Sequence, residues 1–134
     1  MRDNPIVDYW FEETAKQMGG LILEVGLDTG VDVLAAFADG RARFLNTNGD
    51  ISMWEGGEGA TAGLVSKLLG CAAPIVAKAA AQPWERLDSP ADGSIRISTF
   101  GSGGMHLEQG TIEEFANHPL FDAGVDLMNA LEGI

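Results

Sequence analysis

The sequence predicts an α+β domain with one antiparallel β-sheet and helices packed against it. Three observations carry this. Two helical stretches of apolar period flank the chain's ends, two groups of short apolar strands lie between them, and Asp39-Gly40 and Asn48-Gly49 punctuate the first group with strong hairpin signals.

The elements follow in order. Asn4 ahead of Pro5 is a helix-start signal, cap then proline, and the helix is expected from Pro5 to Met18 with Ile6, Val7, Trp10, Phe11 and Met18 broadly on one side, closed by Gly19-Gly20. Leu21 to Leu27 reads as a first strand, and Val31 to Phe37, Arg41 to Asn46 and Asp50 to Trp54 continue as a meander. Two-residue turns at Asp39-Gly40 and Asn48-Gly49 would set Phe37 opposite Ala42, Ala35 opposite Phe44, Phe44 opposite Met53 and Arg43 opposite Trp54. Because Leu34, Ala36 and Leu45 then share the face opposite the aromatic one, the middle of the sheet is expected to be covered on both sides.

From Thr61 the helical period returns through Leu64, Val65, Leu68, Ala72, Ile75, Val76 and Ala79, with a kink or break expected at Pro74 and an end at Pro83. Asp88 to Gly93 reads as a loop, and Ser94 to Thr99 and Met105 to Gln109 as a second hairpin around the glycines at 101, 103 and 104. An odd or bulged turn there would set Thr99 opposite Met105, Ser98 opposite His106 and Arg96 opposite Glu108. Thr111 and Glu114 have capping-box spacing for a short helix, and Leu120 to Leu131 is a final amphipathic helix. No repeat or linker divides the 134 residues, so the whole chain is expected to form one domain. The element order is similar to that of profilin-like and roadblock-type folds, a topological likeness that implies protein or small-ligand binding at sheet edges and helix faces.

Composition narrows the function classes. Twenty acidic residues against eight basic ones give a net charge of -12, which repels nucleic acid and anionic membrane surfaces and complements a basic protein. A solubilising role would produce the same charge. The single cysteine, Cys71, excludes an internal disulfide, and the two histidines are too few for a zinc cluster of the usual kind, so no metal or other cofactor is expected. With no secretion signal and no long apolar run, the chain reads as cytoplasmic and soluble.

Four constellations could carry chemistry. Asp28-Thr29-Gly30, preceded by apolar Leu27, resembles the catalytic tripeptide of the aspartic proteases, which implies a dimeric protease with Asp28 as catalyst. The resemblance spans about five residues, and Leu68-Leu69-Gly70, the nearest match to the family's bracing strand, falls in a helical stretch; a strand connection is the competing reading. Gly57-x-Gly59-x-x-Ala62 matches a dinucleotide fingerprint in spacing but follows a meander rather than opening a βαβ unit, and Glu58 would oppose pyrophosphate.

Ser98, His106 and Glu108 would share a sheet face under the expected register, with Arg96 beside Glu108; they are the parts of an acyl-transfer triad set on regular strands instead of a strained turn. Arg41 and Arg43 alternate on one strand, with Trp54 placed to stack on Arg43, and with Arg96 these are the candidate binding residues. Pairing with the protein's own acids is the plainer reading. Trp10, Trp84, His118 and Cys71 read as packing residues.

The reading that follows is a non-catalytic, acidic protein-protein interaction module: an adaptor, a regulatory subunit or a neutralising inhibitor of a basic partner. A small-molecule-binding protein or hydrolase with a pocket near Arg43, Arg96 and His106 is the alternative, the aspartic protease a remote one. A homodimer is compatible with either class.

Overall fold

The computed structural model describes residues 5–17, 19–72, 74, 82–83, 85, 87–101 and 103–132. Among them run α1 (Pro5–Gln17), β1 (Leu21–Leu27), β2 (Gly30–Ala36), β3 (Ala42–Leu45), β4 (Ile51–Trp54), α2 (Ala60–Gly70), β5 (Ser94–Gly101), β6 (Gly104–Thr111) and α3 (Pro119–Glu132). The six strands form one antiparallel sheet in the order β4-β3-β2-β1-β5-β6, an α+β arrangement with helices against it. The expected cap at Asn4, the helix end at Met18, the helical residues Ile75, Val76 and Ala79, and Trp84 lie outside the described residues.

Both faces of the sheet are buried, because β1 and the middle of β2 are apolar in every register position but one. Leu21, Leu23, Leu34, Ala36, Phe44 and Ile97 project into a core with α2 and α3. Ile22, Val33, Ala35, Phe37, Phe100 and Met105 project to the other side, where α1 covers them with Val7, Trp10 and Phe11. Phe11 meets Phe100 edge to face, centroids 5.9 Å apart.

The strands stand where the sequence puts them, within a residue or two, but the register is shifted by one in each of the three hairpins for which the sequence sets one. Ala35 faces Arg43 and Leu34 faces Phe44, while Arg43 faces Met53 and Ala42 faces Trp54. The cause is turn chemistry. Phe37 N–H bonds Arg41 O at 2.9 Å and Asn46 N–H bonds Asp50 O at 3.1 Å, so each loop has three residues, with Gly40 (φ 97°) and Gly49 (φ 88°) left-handed at the third. Asp39 Oδ1 accepts from Arg41 N–H at 3.1 Å, and Asn46 Oδ1 accepts from Asn48 and Asp50 N–H at 3.0 Å. A one-residue shift inverts every face relation, so Phe37 and Phe44 lie on opposite faces rather than one.

In the second hairpin Gly101 faces Gly104, an even connection in place of the expected odd one, and Thr99 faces His106, Ser98 faces Leu107 and Arg96 faces Gln109. Thr111 and Glu114 make both capping-box bonds, Glu114 N–H to Thr111 Oγ1 at 3.1 Å and Thr111 N–H to Glu114 Oε1 at 2.8 Å. They cap a run of turns over 112–117 instead of the short helix expected. His118 and Pro119 then start α3.

Candidate functional site

Asp28 and Thr29 are the two-residue tip of the β1–β2 hairpin, where Leu27 faces Gly30. Gly30 has φ 145° and Asp28 is exposed. Within the chain the tripeptide connects β1 to β2 and holds the Asp28 carboxylate at an exposed hairpin tip.

The even β5–β6 register separates the proposed triad. Ser98 and Arg96 project to the α1 face, whereas His106 and Glu108 project to the face of α2 and α3. Nucleophile and base are thus on opposite sides of the sheet, and neither can reach the other. Glu108 instead pairs with His118, Nε2 to Oε1 at 3.0 Å. The same geometry keeps Arg43, Arg96 and His106 from lining one pocket. Arg43 and Arg96 share a face, but β2 and β1 stand between their strands, a separation of about 14 Å at ordinary strand spacing.

Arg96 sits in a buried polar ladder that the sequence did not reveal as a unit. Glu24 on β1 faces Arg96 on β5, which faces Gln109 on β6. The Arg96 guanidinium meets Glu24 Oε1 at 3.4 Å, Gln109 Oε1 at 3.2 Å and the Asp88 carbonyl at 2.6 Å. Gly26 admits the covering segment, because a Cβ there would stand 2.0 Å from Ala91 O. A groove of about 480 Å³ opens beside the ladder, lined by Ser89, Ser94, Arg96, Gln109, Thr111 and Glu114 among others. The charge on its floor is already answered by Glu24. A lone glutamate in an apolar strand and a lone arginine in the same position of another were the only available signals.

Arg41 and Arg43 are engaged as well. Arg41 bonds Glu13 and Asp39, and lies over the Phe37 ring, 5.0 Å from its centroid. Desolvation opposes the ionised form of Asp39, yet hydrogen bonds from the Arg41 backbone and side chain, with its charge and a Gln17 bond, hold that carboxyl below its usual range. Arg43 pairs with Glu55 at 2.8 Å and also approaches Phe37. The expected stack of Trp54 on Arg43 is not formed: Trp54 faces Ala42, its ring projects to the α2 side, and only its carbonyl bonds the guanidinium, at 3.3 Å.

The remaining surface of interest is the two sheet edges, which differ. Along β6, Gln82 and Met105 exchange backbone bonds of 2.9 and 2.7 Å, and Glu114 takes the Thr111 N–H, so both ends of that edge are covered. Along β4 the bonded pair Asn46–Asp50 sets the alternation, directing the Ser52 and Trp54 backbones to β3 and those of Ile51 and Met53 outward. Ile51 is 39% and Met53 55% exposed, and both side chains project on the α1 face beside Leu45 and Arg43. The other exposed large apolar residues among those described, Ile6 and Tyr9, lie on the α1 stripe that continues through Glu13 and Gln17 toward Arg41 and Asp39.

Among the described residues no group of three or more metal-ligating side chains exists, and no helix is long and apolar enough to cross a membrane. The glycines of the dinucleotide-like spacing connect an antiparallel edge strand to α2, with Gly59 as a helix cap without a side-chain bond. Cys71 is the half-buried C-cap of α2. Comparison of the chain with protein-family models, curated proteins and solved structures finds no match.

Proposed function

We propose that this protein is a non-catalytic, acidic interaction module, an adaptor, regulatory subunit or neutralising inhibitor, whose partner presents a basic surface. The observation that carries the reading is how the charges are distributed. Three arginines, Arg43 and Arg96 on the sheet and Arg41 just ahead of β3, pair within the chain, Arg41 with Glu13 and Asp39, Arg43 with Glu55 and Arg96 with Glu24. Carboxylates such as Glu12, Asp28, Asp50, Glu58, Asp92 and Asp126 remain at the surface of a chain carrying -12. A field of that sign steers a cationic partner and gives binding that weakens with salt.

Affinity purification from the source cells tests this. The retained protein should carry a basic face and should dissociate as salt rises from about 0.05 to about 0.5 M, where the Debye length falls several-fold. Retention that ignores salt, or a partner without a basic surface, would count against the reading. A small-molecule role would use the groove beside Arg96; ligand-induced stabilisation lost in Gln109→Ala would favour it.

A further inference from the structure

Resting on that reading, we infer that the outer edge of β4 is the docking site, and that its occupant is an extended, basic segment of another protein added to the sheet as a seventh strand. Two backbone N–H and C=O pairs, at Ile51 and Met53, point away from the sheet. Edge strands are ordinarily blunted by lysine, proline, a bulge or a covering segment. β4, Ile-Ser-Met-Trp, is short at four residues, but it carries no lysine, proline or bulge, and among the described residues nothing bridges to its outer edge, whereas β6 is covered at both ends. The exposed Ile51 and Met53 side chains add an apolar strip alongside the free backbone groups.

Strand addition supplies affinity through main-chain bonds and specificity through alternate side chains. The incoming segment therefore places apolar residues at i and i+2 beside Met53 and Ile51. Asp50 is exposed at one end of the strand and suits a basic residue there, whereas Glu55 at the other end is already bonded to Arg43, so the call for a basic segment rests on Asp50 and the net charge of -12. A second copy of this chain is the wrong occupant electrostatically, since edge-to-edge pairing would bring together two chains of charge -12.

The test uses a fluorescein-labelled peptide that alternates isoleucine with threonine between terminal lysine pairs, a version with its central isoleucines replaced by proline, and a version with glutamate for lysine. The lysine peptide should bind, the other two should not, and the Ile51 and Met53 amides should become protected from exchange while Ser52 and Trp54 change little. Met53→Pro removes an outward donor without touching the ladder and should weaken binding at least ~10-fold, the loss typical of a contact at an interface centre. Met53→Lys, which leaves the backbone intact, should weaken it similarly.

Equal binding of the proline peptide, without amide protection at Ile51 and Met53, would overturn the edge site while leaving a cationic partner in place. Equal binding of the glutamate peptide, or of none, would overturn both. Protection of the same two amides on raising the protein's own concentration would replace the partner with a second copy and overturn the inference.

Discussion

Glu24 and Arg96 stand directly opposite each other on β1 and β5, Arg96 Nη1 3.4 Å from Glu24 Oε1, with the Glu24 side chain wholly buried. Such a pair holds the fold by mutual dependence, because each charge is costly without the other. Glu24→Ala should destabilise by about 3–5 kcal/mol, the cost of leaving a buried guanidinium uncompensated. The double variant Glu24→Leu with Arg96→Met should recover much of that loss. Urea unfolding of the wild type, Glu24→Leu, Arg96→Met and the double variant closes a double-mutant cycle; additive losses would mean that the two side chains do not act as a pair.

The hairpin glycines carry the second prediction. Gly40 and Gly49 occupy left-handed positions in loops of three residues, and nothing lies within 4 Å of a Cβ at either site. Conformation alone therefore sets the cost: alanine at each should destabilise by about 1–2 kcal/mol, and asparagine by less. Thermal unfolding of the two alanine and two asparagine variants measures the difference, and alanine without effect would show that the backbone relaxes into another turn.

Those same glycines explain what was and was not legible in the sequence. Strand positions, two-faced burial and the terminal helices follow from apolar period, since Leu21, Leu23 and Ile22 have to be buried on both sides of β1. Register does not, because Asp-Gly and Asn-Gly serve both two-residue turns and the three-residue loops found here. The choice depends on the Asp39 and Asn46 side-chain bonds and on where Phe37 and Phe44 are buried, which are tertiary facts. One residue of shift in the β3–β4 hairpin removed the Arg43–Trp54 stack, and one in the β5–β6 hairpin dissolved the Ser98–His106–Glu108 constellation and set Gln109 in place of Glu108 opposite Arg96. The open edge of β4 was legible only as an unprotected strand sequence.

Asp32 gives a pH-dependent prediction. Burial, with Glu132 nearby, raises its carboxyl above the ordinary value of 3.8, although a 3.0 Å bond from Thr47 N–H acts against the shift. An acid whose folded pKa exceeds its unfolded one weakens the fold wherever it is charged, and that penalty fades as pH falls through the folded value toward 3.8. Asp32→Asn keeps an acceptor for Thr47 and should stabilise by about 0.5 kcal/mol at neutral pH, a modest figure because solvent screens a half-open site. Paired urea titrations at neutral and mildly acidic pH should show the advantage shrinking at the lower pH; a constant or growing advantage would contradict the assigned cause.

His118 caps α3 through one ring tautomer. Leu120 N–H donates to Nδ1 at 3.2 Å, which leaves the proton on Nε2 to donate to Glu108 Oε1 at 3.0 Å. Removing the ring in His118→Ala should cost about 1 kcal/mol, the usual worth of a lost cap. Asparagine can accept the Leu120 bond without adding charge and should recover most of that cost. Aspartate caps equally well in isolation and suits the positive end of the helix, but here it would stand near Glu108, so it should fall between asparagine and alanine at neutral pH. If Glu108→Gln is added, the aspartate variant should rise to match asparagine. Chemical unfolding of the five proteins gives the order, and an aspartate that already equals asparagine beside an intact Glu108 would show that the His118–Glu108 contact does not persist in solution.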